Sequence, residues 1–265
     1  APDTGLSDTL RGIVGDRHVL VRDAELLAYE SDGLPGYHRR PSLAVFPGSR
    51  EETIEVVRAL ARAGVPFVPR GAGTGLSGGA LADDVVLLGL HRLKGVLSMD
   101  VARMRATVEP GVVNAVLNRR LAQHGVFYAP DPSSEAACTI GGNVAENSGG
   151  PHCLKYGVPL NPVIAATVLL PDGELVQLGD VDGGMAGYDL LGAFVGSEGC
   201  FGVALDMTVR LTRKPAAVRT ALADFTSVAD AARATSAIVA SGVVPAALEF
   251  MDSGTIRVVE ESIRS

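Results

Sequence analysis

Val68-Pro69-Arg70-Gly71-Ala72-Gly73-Thr74-Gly75-Leu76-Ser77-Gly78-Gly79 carries five glycines between residues 71 and 79, and the reading of the whole chain turns on it. Glycine turns with positive φ and lets bare backbone approach a ligand. Successive N–H groups aimed at one point make an anion-binding concavity, commonly for phosphate. Glycine also fills plain turns, so the loop is ambiguous when read alone. It holds a dinucleotide-type spacing, Gly73-x-Gly75-x-x-Gly78, with Asp100 roughly twenty residues on, where a ribose ligand is expected. The context rejects that match. Such a loop follows a strand and opens a helix whose N-terminus holds the pyrophosphate. Val65, Phe67 and Val68 supply the strand, but Val85-Val86-Leu87-Leu88 follows closely and reads as another strand, leaving no room for a helix. The Walker pattern fails as well, because no Lys-Ser or Lys-Thr closes the loop. The loop is expected to bind phosphate, but as neither of these two kinds.

Upstream, Leu43-Ala44-Val45-Phe46 reads as a buried strand ended by Pro47-Gly48. Ser49-x-x-Glu52 is a capping box, Ile54, Val57 and Leu60 or Ala61 recur at helical spacing, and Gly64 supplies the stop. This strand, helix, strand and loop order from Leu43 to Gly79 predicts a small parallel unit with a right-handed crossover. Before it lie two short helical patterns, the second with Asp23 as N-cap, and a turn-rich joint over Asp32-Gly33-Leu34-Pro35-Gly36. Downstream come three strand candidates, Val85 to Leu90, Val96 to Met99 and Arg105 to Val108. A helix carrying Val113, Val116, Leu117 and Leu121 follows, closed by Gly125.

A second informative stretch runs from Ala129 to Gly150 and includes Pro130-Asp131-Pro132-Ser133-Ser134, Cys138-Thr139-Ile140-Gly141-Gly142-Asn143 and Ala145-Glu146-Asn147. It reads as a long connection with hardly a charge. A solvated loop usually carries more Lys and Glu. Small residues and amides suit backbone running against a large, neutral, hydrogen-bonding ligand. Val163 to Leu170 and Leu175 to Leu178 form a hairpin pattern around Pro171-Asp172-Gly173. A third cluster, Gly196-Ser197-Glu198-Gly199-Cys200-Phe201-Gly202, leads into an alternating strand, Val203 to Leu211. Three such clusters beside strands suggest one ligand touched at several points.

Composition shifts at Lys214-Pro215-Ala216-Ala217. Beyond it the pattern predicts a strand over Val218 to Phe225 and a helix opened by Ser227-x-x-Asp230 and stopped by Gly242. A strand over Ala246 to Met251 and a helix from Ser253 complete it. This is the start of a second domain with too few strands to close a core, so the natural protein is expected to be longer.

A net charge of −7 argues against a nucleic-acid partner, which needs a basic face. The three cysteines, Cys138, Cys153 and Cys200, are far apart and form neither a disulfide framework nor a zinc site. A reducing cytoplasm is the expected compartment. The first residues, Ala-Pro-Asp-Thr-Gly, show no signal-peptide pattern, and no apolar run is long enough for a transmembrane segment. The five histidines, His18, His38, His91, His124 and His152, have no metal-ligand spacing, so no metal is expected.

Taken together, the Pro69–Gly79 stretch, Pro130-Asp131-Pro132-Ser133-Ser134, Gly141-Gly142-Asn143-Val144-Ala145-Glu146-Asn147, His152-Cys153-Leu154-Lys155-Tyr156-Gly157 and Gly196-Ser197-Glu198-Gly199 resemble the flavin-binding domain of the vanillyl-alcohol-oxidase (PCMH-type) family. The likeness is to the branch of the glycolate oxidases and the FAD-dependent D-lactate dehydrogenases. It implies an α+β fold: an N-terminal helical segment over 1–36, a two-subdomain FAD-binding domain over 37–216, and the start of a ferredoxin-like α/β cap over 217–265. FAD would lie between a small parallel part and an antiparallel sheet. By position, Pro69, Arg70, Gly71, Ala72, Gly73, Thr74 and Gly75, with Ser77, would hold the pyrophosphate through backbone N–H groups. Pro132, Ser133, Ser134, Cys138 and Thr139, then Gly141, Gly142, Asn143, Ala145, Glu146, Asn147 and Gly149, would line the flavin and its ribityl chain. Glu198, Gly199, Gly202 and Val203 would meet the adenosine end or the ring edge. Some members bond FAD covalently through a histidine in the first loop; here Gly73-Thr74-Gly75 offers none, so non-covalent FAD is expected.

The resemblance implies oxidation of a small-molecule 2-hydroxy acid, with hydride passing from the substrate Cα to the flavin. It places the substrate-binding and catalytic groups in a C-terminal half beyond this chain. His152 and Lys155 are the polar candidates nearest the expected flavin. An electron-accepting or iron–sulfur subunit is an implied partner. Alternatives are an alkyl-glycerone-phosphate-synthase-like transferase, an FAD-binding subunit without turnover of its own, and a purely structural glycine-rich domain.

Overall fold

The computed structural model describes residues 4–183 and 187–264. The first three residues and Ser265, which entered the reading of the two chain ends, lie outside it. Helix α1 (Thr4–Val14) and the short strand β1 (Val19–Leu20) lead into α2 (Asp23–Leu26). Asp23 is the first helical residue and not the expected cap. Arg22 holds the N-cap position without a side-chain hydrogen bond, and burial of Leu26 holds this single turn in place. Strand β2 (Leu43–Val45) is buried throughout. The Ser49 hydroxyl then accepts the Glu52 N–H at 3.1 Å and opens α3 (Arg50–Ala63). The return bond of the capping box reaches Glu52 Oε2 from the Gly48 N–H at 2.6 Å, one residue earlier than in the usual box. Gly64 stops the helix in left-handed backbone, φ 65°.

Strands β3 (Phe67–Arg70) and β4 (Val86–Gly89) complete a four-stranded sheet of order β1-β2-β4-β3. β4 is parallel to β2 and to β3, as the strand, helix, strand pattern requires. Two features differ from expectation. β4 occupies the slot between β2 and β3, and β1 adds an antiparallel edge against β2. Burial on both faces explains why β4 is a continuous apolar run. Leu10 and Val14 of α1 join Val56, Val57 and Leu60 of α3 in one core over this sheet.

The second sheet is antiparallel, of order β5-β6-β10-β8-β9. In chain order its parts and neighbours are β5 (Val96–Asp100), β6 (Arg105–Val108), α4 (Asn114–Ala122), β7 (Val126–Phe127), α5 (Ile140–Glu146), α6 (Cys153–Tyr156), β8 (Val163–Leu169), β9 (Leu175–Gly179), α7 (Leu190–Phe194), β10 (Val203–Arg210) and β11 (Thr212–Arg213). Its core gathers Ala106, Val108, Leu117, Leu121, Ile140, Val144, Ala166, Val168, Met207 and Val209. Leu169, Val203 and Leu205 pack instead into the first core, so β8 and β10 bridge the two sheets. Arg50 Nη1 and Asp206 Oδ2, 2.7 Å apart, tie α3 to β10.

Beyond Arg213, α8 (Val228–Ala240) opens at Ser227, which accepts the Asp230 N–H as expected. Helix α9 (Ser253–Arg264) opens with the Asp252 carboxylate accepting the Thr255 N–H at 2.7 Å. The strands expected over 218–225 and 246–251 are not formed. A strand needs a ladder partner for its backbone, and among the described residues neither segment has one. Among the described residues no helix is long and apolar enough to cross a membrane.

Candidate functional site

The loop between β3 and β4 rests on Arg70. Its guanidinium donates to the carbonyl oxygens of Ser31 at 2.7 Å, Ala80 at 3.2 Å and Tyr29 at 3.4 Å, and lies 5.9 Å from the Tyr29 ring centroid. Burial pushes its pKa down, with Asp32 opposing. Arg70 therefore braces the loop from beneath, and its cation is engaged by the protein. Gly73 sits over that guanidinium at φ 69°, where a Cβ would collide with it. Asp32 holds the far end, accepting the N–H of Gly78 at 3.0 Å and of Leu34 at 2.8 Å.

Part of the second stretch, expected as one long connection, is the helix α5. Thr139 caps it by accepting the Gly142 N–H at 3.2 Å, while Ile140 and Val144 are buried one turn apart. Asn147 ends it in left-handed backbone, φ 50°, and its Oδ1 accepts the Leu160 N–H at 3.0 Å. The third cluster is tied to α5 by main-chain bonds, Gly196 N–H to Val144 O and Glu198 N–H to Ala145 O, both 2.9 Å. Gly71 approaches Thr139 Oγ1 so closely that a Cβ there would strike it.

These contacts bring the three glycine-rich clusters around one cleft of about 210 Å³. Of the residues expected there, Pro69, Gly71, Ala72, Gly73, Thr74, Gly75, Pro132, Ser133, Ser134, Cys138, Thr139, Gly142, Asn143, Ala145, Glu146 and Glu198 line it. Arg70, Gly141, Gly199, Gly202 and Val203 line an adjoining pocket of about 60 Å³. Ser77, Asn147 and Gly149 line neither. Ser77 reaches the site indirectly, donating to Glu146 Oε2 at 3.3 Å. Gly79, Ala80 and Ser148 also line the cleft, and Pro110, Phe194 and Ser197 the pocket. Gly79, Ser148 and Ser197 fall inside the glycine-rich clusters; Pro110 and Phe194 carry no signal in the sequence. His152 and Lys155 line neither space. His152 Nδ1 pairs with the Asp131 carboxylate, and Lys155 Nζ lies 5.4 Å from the Tyr156 ring centroid.

The walls fit a phosphate-bearing, hydrogen-bonding group. Among the described residues, the N–H groups of Ala72, Gly73, Thr74 and Gly75 meet no protein acceptor. Asn143 is 2% exposed and, beside the Cys138 thiol that it helps to polarise, its Nδ2 has no partner of good hydrogen-bond geometry; Ser197 Oγ is likewise buried and unpaired. Such orphans are costly unless a ligand or water completes them. Burial pushes the Cys138 thiol up, keeping it neutral. Burial and then the neighbouring Glu198 push Glu146 up, against the Ser77 bond. Among the described residues no group of three or more His, Cys, Asp or Glu is placed to hold a metal.

Residues 41–179 match the family model for an FAD binding domain, and residues 214–265 that for the C-terminal domain of FAD linked oxidases. The glycolate oxidase subunit GlcD of Escherichia coli strain K12 is 44% identical over 263 residues, 99% of this chain and 53% of that protein. A D-lactate dehydrogenase of Anaerostipes hadrus is 32% identical over 251 residues, 94% of this chain and 53% of that protein. The chain thus spans about half the length of these relatives. A solved alkyldihydroxyacetonephosphate synthase superposes with a TM-score of 0.82 at 23% identity, covering 93% of this chain and 47% of its own, which shows a shared fold. The chain belongs to the FAD-linked oxidases, and its residues 41–179 form their FAD binding domain.

Proposed function

We propose that the protein oxidises a small 2-hydroxy acid of the glycolate or D-lactate type, with FAD held non-covalently in the cleft of the three clusters. Bound there, FAD supplies the hydride acceptor. The chain's own residues do the holding. Ala72, Gly73, Thr74 and Gly75 offer unpaired N–H groups to the pyrophosphate, and Asn143, Ser133 and Ser134 offer side-chain partners to the flavin and ribityl end. Glu198, Gly199, Gly202 and Val203 are assigned to the adenosine end or the ring edge. Ser77, through its bond to Glu146, and Asn147, at the end of α5, support the walls from outside them. No catalytic base is assigned to these residues.

The observation that carries this reading is that one cleft is lined both by the loop residues whose N–H groups meet no protein acceptor and by Asn143, whose buried Nδ2 has no partner of good geometry. Substrate class is supported by the relatives named glycolate oxidase subunit and D-lactate dehydrogenase. That the first is named a subunit favours an electron-accepting or iron–sulfur partner, and also a second reading, an FAD-binding subunit without turnover of its own. We assign 37–216 to cofactor binding and 217–265 to the beginning of a substrate domain. The free thiols of Cys138, Cys153 and Cys200 suit a cytoplasmic location. The test is dye reduction by the full-length protein with glycolate, D-lactate and D-2-hydroxyglutarate. Reduction with at least one is expected; reduction with none removes the 2-hydroxy-acid assignment.

A further inference from the structure

We propose that His152, oriented by Asp131, is the base that takes the hydroxyl proton of the 2-hydroxy acid, an inference that rests on the oxidation proposed above. In that reading the cleft is given over to the cofactor, so a residue that meets substrate and not cofactor must stand at the rim. His152 stands there. Asp131 immediately precedes Pro132, and His152 follows Ser148 by four residues. Pro132 and Ser148 line the cleft together with Ser133 and Ser134, the residues assigned to the flavin end. The imidazole lines neither the cleft nor its adjoining pocket, and its side chain is 43% exposed.

The local chain is built to hold this pair. A Cβ on Gly150 would strike the Asp131 carbonyl oxygen, so the glycine lets the two segments meet. Asp131 Oδ1 accepts the His152 N–H at 3.4 Å, and Oδ2 pairs with His152 Nδ1. The Tyr156 ring of α6 lies 6.3 Å from the imidazole, centroid to centroid, and Phe127 of β7 meets Tyr156 edge-on at 5.6 Å. The other titratable groups of this segment are occupied elsewhere: Cys153 Sγ accepts the Gly150 N–H at 2.9 Å, and Lys155 lies against the Tyr156 ring. Among the described residues His152 Nε2 meets no protein partner. A carboxylate on Nδ1 keeps a proton on that nitrogen, leaves the Nε2 lone pair free and stabilises the imidazolium that forms when Nε2 is protonated. The hydroxyl proton passes to Nε2 as the Cα–H bond breaks and its electron pair leaves as hydride to the oxidised flavin. The products are a 2-keto acid, reduced flavin and imidazolium, which returns its proton to water.

The test follows flavin bleaching by glycolate, D-lactate and D-2-hydroxyglutarate in the FAD-loaded full-length protein by stopped flow. His152→Ala should slow bleaching about 100-fold or more at unchanged FAD content. Added imidazole should restore part of the rate, and the acid-side fall in the rate–pH profile of the parent should vanish. His152→Gln should be as slow, and Asp131→Asn, which loses only the orienting carboxylate, less so. In the flavin-free protein, nitrogen-15 NMR of labelled histidine at alkaline pH should place the His152 proton on Nδ1, and Asp131→Asn should remove that preference. Parental bleaching rates in the His152 variants, a proton on Nε2 in the parent, or slow bleaching that keeps its acid limb and ignores imidazole each overturn the proposal and leave the 2-hydroxy-acid reading standing. A parent bleached by none of the three acids overturns both. Should His152→Ala not fold, the rate and pH profile of His152→Gln decide in the same way.

Discussion

The Gly71–Gly79 loop and the Thr139–Asn147 segment wall the same cleft and are both built of small residues, yet their backbones do opposite things. In α5 the main chain is engaged by protein, its first N–H groups donating to Val112 O and Pro110 O and its last carbonyls accepting from Gly196 and Glu198. Thr139 caps the first turn, Ile140 and Val144 anchor one face, and Asn147 closes the end. In the loop no apolar periodicity exists, Leu76 is 64% exposed, and among the described residues four successive N–H groups meet no protein acceptor. What replaces a helix there is a buried cation: Arg70 gathers three carbonyl oxygens and fixes the loop from below. Small residues therefore carry no structure of their own. A cap, an apolar pair and main-chain bonds to neighbouring segments hold the one, and an arginine beneath the backbone holds the other.

Breaking one region while sparing the other separates the two devices. The largest effect is expected from Arg70→Met, which strands three carbonyl oxygens and frees the loop. It should cost about 3 kcal/mol in urea unfolding and abolish flavin retention, leaving the far-ultraviolet helix signal in place. Gly71→Ala acts where the regions touch. The new Cβ meets Thr139 Oγ1, and overpacking of this kind costs about 1–3 kcal/mol, with weaker FAD binding in a titration. Thr139→Ala removes the cap alone, at about 1 kcal/mol by thermal unfolding, and Thr139→Ser restores most of it. Because the methyl group added by Gly71→Ala displaces the same hydroxyl, the double variant should cost less than the sum of the singles.

The smallest effect concerns Glu146, whose folded pKa is raised by burial and by Glu198. Its protonated form is favoured in the fold, so the contribution to stability is full at pH below the unfolded carboxyl value. That contribution is lost as pH rises through the raised folded value. Glu146→Gln should therefore be more stable than the parent at pH 8, with the difference vanishing toward pH 4, in paired melting curves without flavin.

Much of this was legible in the residues. The Ser49 cap, the Gly64 stop, the strand on each side of the glycine loop and the Leu169–Leu175 hairpin all rest on local chemistry, and local chemistry is written in the chain. The failures share a cause. The helix over Ile140–Glu146 contains two glycines, and its evidence was a single threonine cap and one apolar pair, too short a stretch for periodicity to show. The strand β1 has two residues and exists through pairing with β2. The reverse error fell on 218–225 and 246–251, where strand-like sequence lacks a partner among the described residues; Leu222 stands 93% exposed. At the site, glycine content located the loop, but its brace could not be read. Nothing in Val-Pro-Arg-Gly says that the guanidinium turns under the loop toward Ser31 and Ala80.

The central claim is that backbone N–H groups of the first loop hold FAD without a covalent bond. Its most direct test is a visible spectrum of the purified full-length protein before and after acid precipitation. The protein should be yellow, and FAD should remain in the supernatant. A colourless protein that takes up no added FAD, or flavin that stays with the pellet, would contradict it.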